Sequence, residues 1–467
     1  MKKIIIILLI SAIAQNIYAQ SPIEGVWEGI LKSGLNNFSI TFRIKESNNK
    51  LDVSMDIPQQ MLLNFKHVKA EYTNDSLFIS INSFNAKYNS AHKNDSLYGF
   101  WQQNGISLPL NMKKTSEYKA LEINRPQNPQ PPFPYITEEV SFFNKKAKIN
   151  LSGTLTIPDT TDVWPCVVLV SGSGAQNRDE EIAMHRPFAV IADYFSRNGI
   201  AVLRYDDRGT AKSKGNFATA TTLDLSGDAA SAVEYVKKHP YINKKNIGIV
   251  GHSEGGIIAV MQAAKNKSLN FIISMAGVAI PCTQLLVIQN DKILEGYGAN
   301  DDLRDFFWNF NTAFYNLVLT EPDLENLKTE AYKLLEETSA SLTEKQKKEF
   351  GLSKTFVNQM LIAASSPWMK YFLSIVPSEY IKKIKINALA INGSKDTQVP
   401  AEANIEAFKS YFINYKGKKN DTHIFKNLNH LFQPCKTGMP DEYAMIETTI
   451  SPEVLEYMCK WIKSLEK

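Results

Sequence analysis

Cysteine is scarce in this sequence: four residues in a chain of 467, at positions 166, 282, 435 and 459, with no CxxC pair. Such spacing offers neither a metal-ligand cluster nor a dense disulfide framework, so no metal is expected. Cys166 opens an apolar run and reads as a core residue. A Cys435–Cys459 bridge stays open for an oxidising compartment, but spacing does not establish it. An excess of charge of one sign is also missing. Lys and Arg number 52 against 48 Asp and Glu, a net charge of +4, and the lysines are scattered. This excludes nucleic acid as a main partner. Past the first residues there is no apolar run long enough to span a bilayer, so stable membrane insertion is not expected.

What is present is a globular composition, 44% hydrophobic and 21% charged, on a chain too long for one compact domain. Met1-Lys2-Lys3 is a basic start, residues 4–13 are apolar, and Ile17-Tyr18-Ala19 suits a cleavage site. Residues 1–19 therefore read as a secretory signal peptide, and the protein as exported, periplasmic or extracellular. From residue 20 to 120 the pattern is all-β. Residues 38–44, 51–55 and 77–81 alternate apolar with polar, between the turns Asn48-Asn49, Asn74-Asp75, Asn94-Asp95 and Asn104-Gly105. Trp27 and Trp101 are either core residues of this β module, the favoured reading, or a ligand platform. Five prolines between Arg125 and Pro134 mark an extended linker over residues 121–136.

Residues 137–467 change rhythm. The segment 149–157 alternates, and residues 166–170, 200–205, 247–250, 271–275 and 386–391 are short apolar runs, several separated by helical spacings. That reads as an α/β fold, a doubly wound and mostly parallel sheet, with ligands expected beyond the carboxyl ends of its strands. Between about 282 and 380 the β rhythm stops and helical patterns take over, including residues 301–318, 324–335, 342–350 and 356–363. This insertion is expected to cap the active site. Phe306, Phe307, Trp308, Phe314, Trp368 and Tyr371 are its aromatic candidates for a substrate pocket, although each alone is more typical of cap core.

The chain is organised around Gly251-His-Ser-Glu-Gly255, which follows an apolar strand and leads into a helix. A serine at the apex of so sharp a turn needs small residues two before and two after it, and Gly251 and Gly255 supply them. Ser253 is the candidate nucleophile, and the amide of Glu254 faces the place where a negative oxygen would develop. A serine needs a base, and the base an acid, in the order Ser, Asp or Glu, His for this kind of sheet. Asp396 follows a strand in a turn-rich loop, and His430 follows the last expected strand. Only His423 and His430 of seven histidines lie beyond Asp396, and His423 falls within a strand, so His430 is preferred. Asp421 and Asp441 are weaker candidates for the acid. His252 packs beside the nucleophile and enters the candidate substrate-binding set. His185 is read as a surface residue, with placement near substrate as the alternative. The second oxyanion donor is assigned to the amide of Ser173, with Gly172 and Gly174 as alternates that also enter the substrate-binding set.

These pieces resemble a family. Ser171-Gly-Ser-Gly174, Leu203-Arg-Tyr-Asp-Asp-Arg-Gly209, Gly251-His-Ser-Glu-Gly-Gly256, Gly393-Ser-Lys-Asp396 and Asn429-His430 resemble the α/β-hydrolases, in particular bacterial serine esterases and dipeptidyl-aminopeptidase or acylaminoacyl-peptidase-like hydrolases. One departure is Ser171-Gly172 where the family often has His-Gly. Gly25-Val-Trp-Glu-Gly29 and residues 98–105 resemble a β module that precedes the catalytic domain in a subset of bacterial hydrolases. The resemblance implies acyl transfer to Ser253 with Asp396 as acid and His430 as base, no cofactor, and an ester of a small or medium acyl group as substrate. Peptidase and acyltransferase activities, and glycan binding by the front module, are the alternatives. The Arg208 motif is read as a structural turn, not a catalytic one.

Overall fold

The computed structural model describes residues 21–33, 36–47, 50–60, 62–66, 68–103, 106–116, 124–412 and 418–466. The expected signal peptide and the turns Asn48-Asn49 and Asn104-Gly105 lie outside them. The chain divides into two compact units near residue 121.

The first unit is one antiparallel sheet. Among the described residues its nine strands are β1 (Gly25–Ser33), β2 (Asn36–Ser47), β3 (Lys50–Ile57), β4 (Leu62–Phe65), β5 (Lys69–Thr73), β6 (Ser76–Ile81), β7 (Ala86–Lys93), β8 (Ser96–Gln103) and β9 (Ile106–Thr115). Their spatial order is β4-β3-β2-β1-β9-β8-β7-β6-β5. The period-two pattern decides which side is buried: Leu77, Ile79 and Ile81 of β6 and Leu97 and Trp101 of β8 face one core. Asn74 and Asp75 both take positive φ, 48° and 53°, the backbone a two-residue hairpin needs between right-twisted strands. Trp27 is fully buried and its indole N–H donates to the Ile23 carbonyl at 2.8 Å. Both tryptophans are therefore core. The rings this sheet leaves exposed are Phe78, Tyr98 and Phe100.

The second unit carries a mixed sheet. Its strands are β10 (Ile136–Asn144), β11 (Ile149–Ile157), β12 (Trp164–Val170), β13 (Ala201–Tyr205), β14 (Ile242–His252), β15 (Phe271–Met275), β16 (Asn387–Gly393) and β17 (Asn420–Phe425). They lie in the order β10-β11-β13-β12-β14-β15-β16-β17. β11 runs antiparallel to both neighbours, and from β13 to β17 every pairing is parallel. The continuous apolar runs of the central strands are explained by burial on both faces. Val168, Leu203 and Ile249 point to a core shared with helices α2 (Thr222–Val236), α3 (Glu254–Ala263) and α11 (Ala401–Tyr411). Their neighbours Val167, Val202 and Val250 point to the opposite core, under α1 (Pro187–Arg197) and α12 (Pro452–Lys463).

Between β15 and β16 the expected helical insertion comprises α4 (Cys282–Gly296), α5 (Asp301–Thr320), α6 (Leu324–Thr338), α7 (Glu344–Glu349), α8 (Lys354–Ala364), α9 (Pro367–Leu373) and α10 (Ser378–Ile381). It has its own core, in which Phe306, Phe310 and Phe314 stack at 5.6 and 5.8 Å between ring centroids. The extended proline-rich stretch is held by side-chain hydrogen bonds: the Arg125 guanidinium donates to the carbonyls of Ala183, Ala444 and Ile446, and Gln127 pairs with the backbone of Thr449 and Ile450. His185 is fully buried rather than on the surface, because both ring nitrogens find partners, Thr449 Oγ1 and the Tyr443 carbonyl, each at 2.9 Å. All four cysteines are free, so Cys435 and Cys459 are not bridged. No helix among the described residues is long and apolar enough to cross a membrane.

Candidate active site

Ser253 sits between β14 and α3 with φ 54° and ψ −116°, a conformation that costs a non-glycine residue about 1–3 kcal/mol. It persists because the flanking segments are locked. A Cβ on Gly251 would strike the carbonyl of Gly255, and one on Gly255 would strike the carbonyl of Val170. Only two glycines let β12, β14 and α3 approach this closely. The Ser253 amide donates to the Met275 carbonyl at 2.9 Å, tying the apex to β15.

Asp396 lies just past β16. Its Oδ1 accepts the amides of Gln398 and Val399 at 2.9 and 2.8 Å, and its Oδ2 faces His430 Nδ1 at 2.8 Å. Both residues are buried. With Nδ1 turned to the carboxylate, Nε2 is the nitrogen left to exchange a proton with a substrate or nucleophile. Ser253 and His430 line one cavity of about 360 Å³, walled by Leu285, Leu286 and Gln289 of α4, Trp368 and Phe372 of α9, and Tyr443. His423 is elsewhere, stacked on Tyr457 at 4.7 Å. Asp421 accepts the Trp461 indole N–H at 2.7 Å. Asp441 lines a separate cleft with Cys435.

The oxyanion side needs two further corrections. The Gly172 amide is engaged, donating to Glu180 Oε1 at 2.6 Å, so it is not an alternate oxyanion donor. Gly174, with φ 98°, serves the turn. Ser173 and Glu254 line the cavity, and Glu254 is the first residue of α3, whose amide has no partner within the helix. His252 borders the cavity, but its ring is pinned at both nitrogens: Nδ1 faces Glu180 Oε1 and Nε2 faces the His430 carbonyl, each at 3.0 Å. Both partners are acceptors, which suits the doubly protonated ring. Burial is the largest influence and disfavours that cation, yet the Glu180 carboxylate, the His430 carbonyl and Asp396 together overcome it and raise the pKa of His252. Its place is therefore that of a brace holding the His430 loop against the elbow, not a substrate ligand.

Glu180, which no local sequence pattern singles out, is thus central. It is 1% exposed and joins the Gly172 amide to His252. Asp207 performs a parallel task, accepting the Ser171 hydroxyl at 3.0 Å and the Gln176 amide at 2.9 Å, which fixes the loop that carries Ser173. Burial raises its pKa to about 8, against the hydrogen bonds from Gln176 and Ser171. Arg208 pairs with buried Asp228 at 2.6 Å and is structural, as expected. Of the six aromatic cap candidates, Trp368 reaches the cavity, Phe306 and Phe314 fill the cap core, and Trp308 is exposed. The cavity residues of α4 went unnoticed in the sequence; the helical spacing of Leu285 and Gln289 was their one signal. No cluster suited to a metal ion occurs among the described residues.

A mixed sheet with one antiparallel strand second from its edge, a serine elbow after the central strand, and acid and histidine loops after the last two strands define an α/β-hydrolase, an enzyme of the hydrolase class. More narrowly, the profile of the X-Pro dipeptidyl-peptidase (S15) family matches residues 120–430, more than half of the chain, and the chain belongs to that family. Among curated proteins it is similar to the esterase EstD of Thermotoga maritima, 24% identical over 363 residues that cover 76% of each chain. Among solved structures it is similar to the α/β-hydrolase GrgF from a Penicillium species, with 16% identity and a TM-score of 0.43 over 71% of this chain and 98% of that one. The Pyrococcus furiosus esterase Pf2001 matches at 15% identity and a TM-score of 0.41, over 73% of this chain and 96% of that one.

Proposed function

We propose that this protein is a serine hydrolase that cleaves carboxylic esters of small or medium acyl groups through an acyl-enzyme on Ser253. The observation that carries the reading is the buried Asp396–His430 pair opening on the cavity that the strained Ser253 also lines. Ser253 Oγ attacks the ester carbonyl carbon while His430 Nε2 takes its proton. The oxyanion is held by the amides of Ser173 and Glu254, a type of donor worth about 3 kcal/mol each. The C–O bond of the leaving alkoxide then breaks, and the alkoxide takes the proton from His430. A water, deprotonated by the same nitrogen, releases the acid and restores the serine. The similarity to EstD supports an ester substrate. The family name favours a second reading, cleavage of a dipeptide after proline. The basic and then apolar start of the sequence supports export.

The test is hydrolysis of p-nitrophenyl esters from acetate to octanoate beside Gly-Pro-p-nitroanilide. Esters are expected to be the better substrates, and Ser253→Ala to lower turnover by roughly 10⁶-fold. Faster cleavage of the anilide would transfer the site to the peptidase reading.

A further inference from the structure

The proposed nucleophile, base and oxyanion donor sit on three different loops, and one carboxylate oxygen joins all three. Glu180 Oε1 accepts the Gly172 amide at 2.6 Å, next to Ser173 in the chain. The same oxygen faces Nδ1 of His252, the residue before Ser253, at 3.0 Å. His252 Nε2 in turn faces the backbone carbonyl of His430 at 3.0 Å. Glu180, His252 and His430 are all buried, so water competes little for these bonds. Both bonds of the His252 ring need a proton on the nitrogen, because a carboxylate and a carbonyl only accept. A neutral imidazole has one N–H to give. It would keep that proton toward the charged carboxylate, the stronger acceptor, and set a bare Nε2 against the His430 carbonyl, lone pair against lone pair. The His252 and His430 rings lie 4.7 Å apart between centroids, so a shift of one is felt by the other. The groups that act on His252 are Glu180 from the loop after β12, Asp396 after β16 and His430 after β17. Glu254 adjoins it on the elbow, and Asp207 feels the charge of Glu180. Neither lysine nor arginine is among the described residues that line the cavity.

We propose that Glu180 and His252 are positioning residues that hold His430 in register with Ser253 only while the His252 ring carries both of its protons. The inference rests on the serine-hydrolase reading and adds to it a dependence on one proton outside the Asp396–His430 pair. Loss of that proton as pH rises pushes the His430 loop from its place. A displacement of about 1 Å is enough to cost about 10²-fold in rate. The cavity walls on α4 and α9 take no part in the brace, so the loss falls on kcat rather than on KM.

The experiment follows hydrolysis of ethyl butanoate by pH-stat from about pH 6 to about pH 10, for the wild-type protein and for Glu180→Gln. The glutamine oxygen accepts the same two bonds, so the shape of the brace stays while its negative charge goes. Without that charge the His252 cation is easier to lose. The alkaline fall in kcat should therefore move to lower pH by about one unit or more, with KM within about twofold. Asp207, its pKa raised to about 8, also answers to the charge of Glu180, so the comparison is repeated with Asp207→Asn in both proteins, and the shift should remain. An alkaline fall that is absent from Glu180→Gln, that does not move, that vanishes with Asp207→Asn, or that lies in KM alone overturns the proposal. If Gly-Pro-p-nitroanilide is cleaved and no ester is, the esterase reading has failed, and the same comparison made on the anilide still decides on the brace. Should Glu180→Gln not fold, neutron diffraction from perdeuterated wild-type crystals at about pH 7 decides without a variant. Deuterium is expected on both Nδ1 and Nε2 of His252. A single deuterium on that ring is the contrary result.

Discussion

The buried carboxylate of Asp207 shows how this site is held at the scale of single residues. Burial pushes its pKa to about 8, well above the ordinary 3.8, so the folded protein binds this proton more tightly than the unfolded chain does. The resulting stability is fully present below about pH 4 and is lost as pH rises through 8. Asp207→Asn should therefore remove a fall in stability between pH 4 and pH 8, read as a flatter dependence of the urea midpoint on pH. An unchanged slope would mean that Asp207 is not the group titrating there. The candidate residues Ser253, Asp396 and His430 stand out in the sequence because each follows a strand end with turn chemistry around it: Ser253 between glycines, Asp396 after Gly393, and His430 in a loop. Their supports were not. Glu180 and Asp207 act through contacts 72 and 36 residues away in sequence, His252 and Ser171, and no local pattern announces such pairs.

At the scale of elements, periodicity placed the central strands and cap helices α5, α6 and α8 close to where they lie, because each buries one stripe or two faces. It does not show what holds the extended proline-rich segment: Arg125 donates to three carbonyls of the hydrolase unit. Arg125→Ala should lower stability by roughly 2 kcal/mol, since it leaves those carbonyls without a charged donor. Thermal unfolding of the variant measures this, and an unchanged Tm would show the strap to be held by other contacts. Cap aromatics divide by the same logic. Phe306, Phe310 and Phe314 recur every four residues and stack on one another, whereas Trp368 carries an N–H that needs an acceptor and finds it in Glu254 beside the cavity.

For the whole molecule, the two units have separate cores, and Ser253, Asp396, His430, Ser173 and Glu254 all belong to the second. A chain of residues 122–467 is therefore expected to hydrolyse soluble p-nitrophenyl esters with kcat/KM within about twofold of the full protein. A large loss would give the β module a part in the site. The proline-rich stretch put a boundary at residues 121–136, and the two units part near residue 121. The extent of β sheet before it was understated, because short strands such as β4 and β5 carry too few residues to show a period. The central claim, a covalent acyl intermediate on Ser253, is tested most directly with a fluorophosphonate followed by peptide mass spectrometry. One equivalent is expected on Ser253, with loss of fluoride and of all ester hydrolysis, and none on Ser253→Ala. Labelling of another residue with activity intact, or ester hydrolysis persisting in Ser253→Ala, would contradict the account.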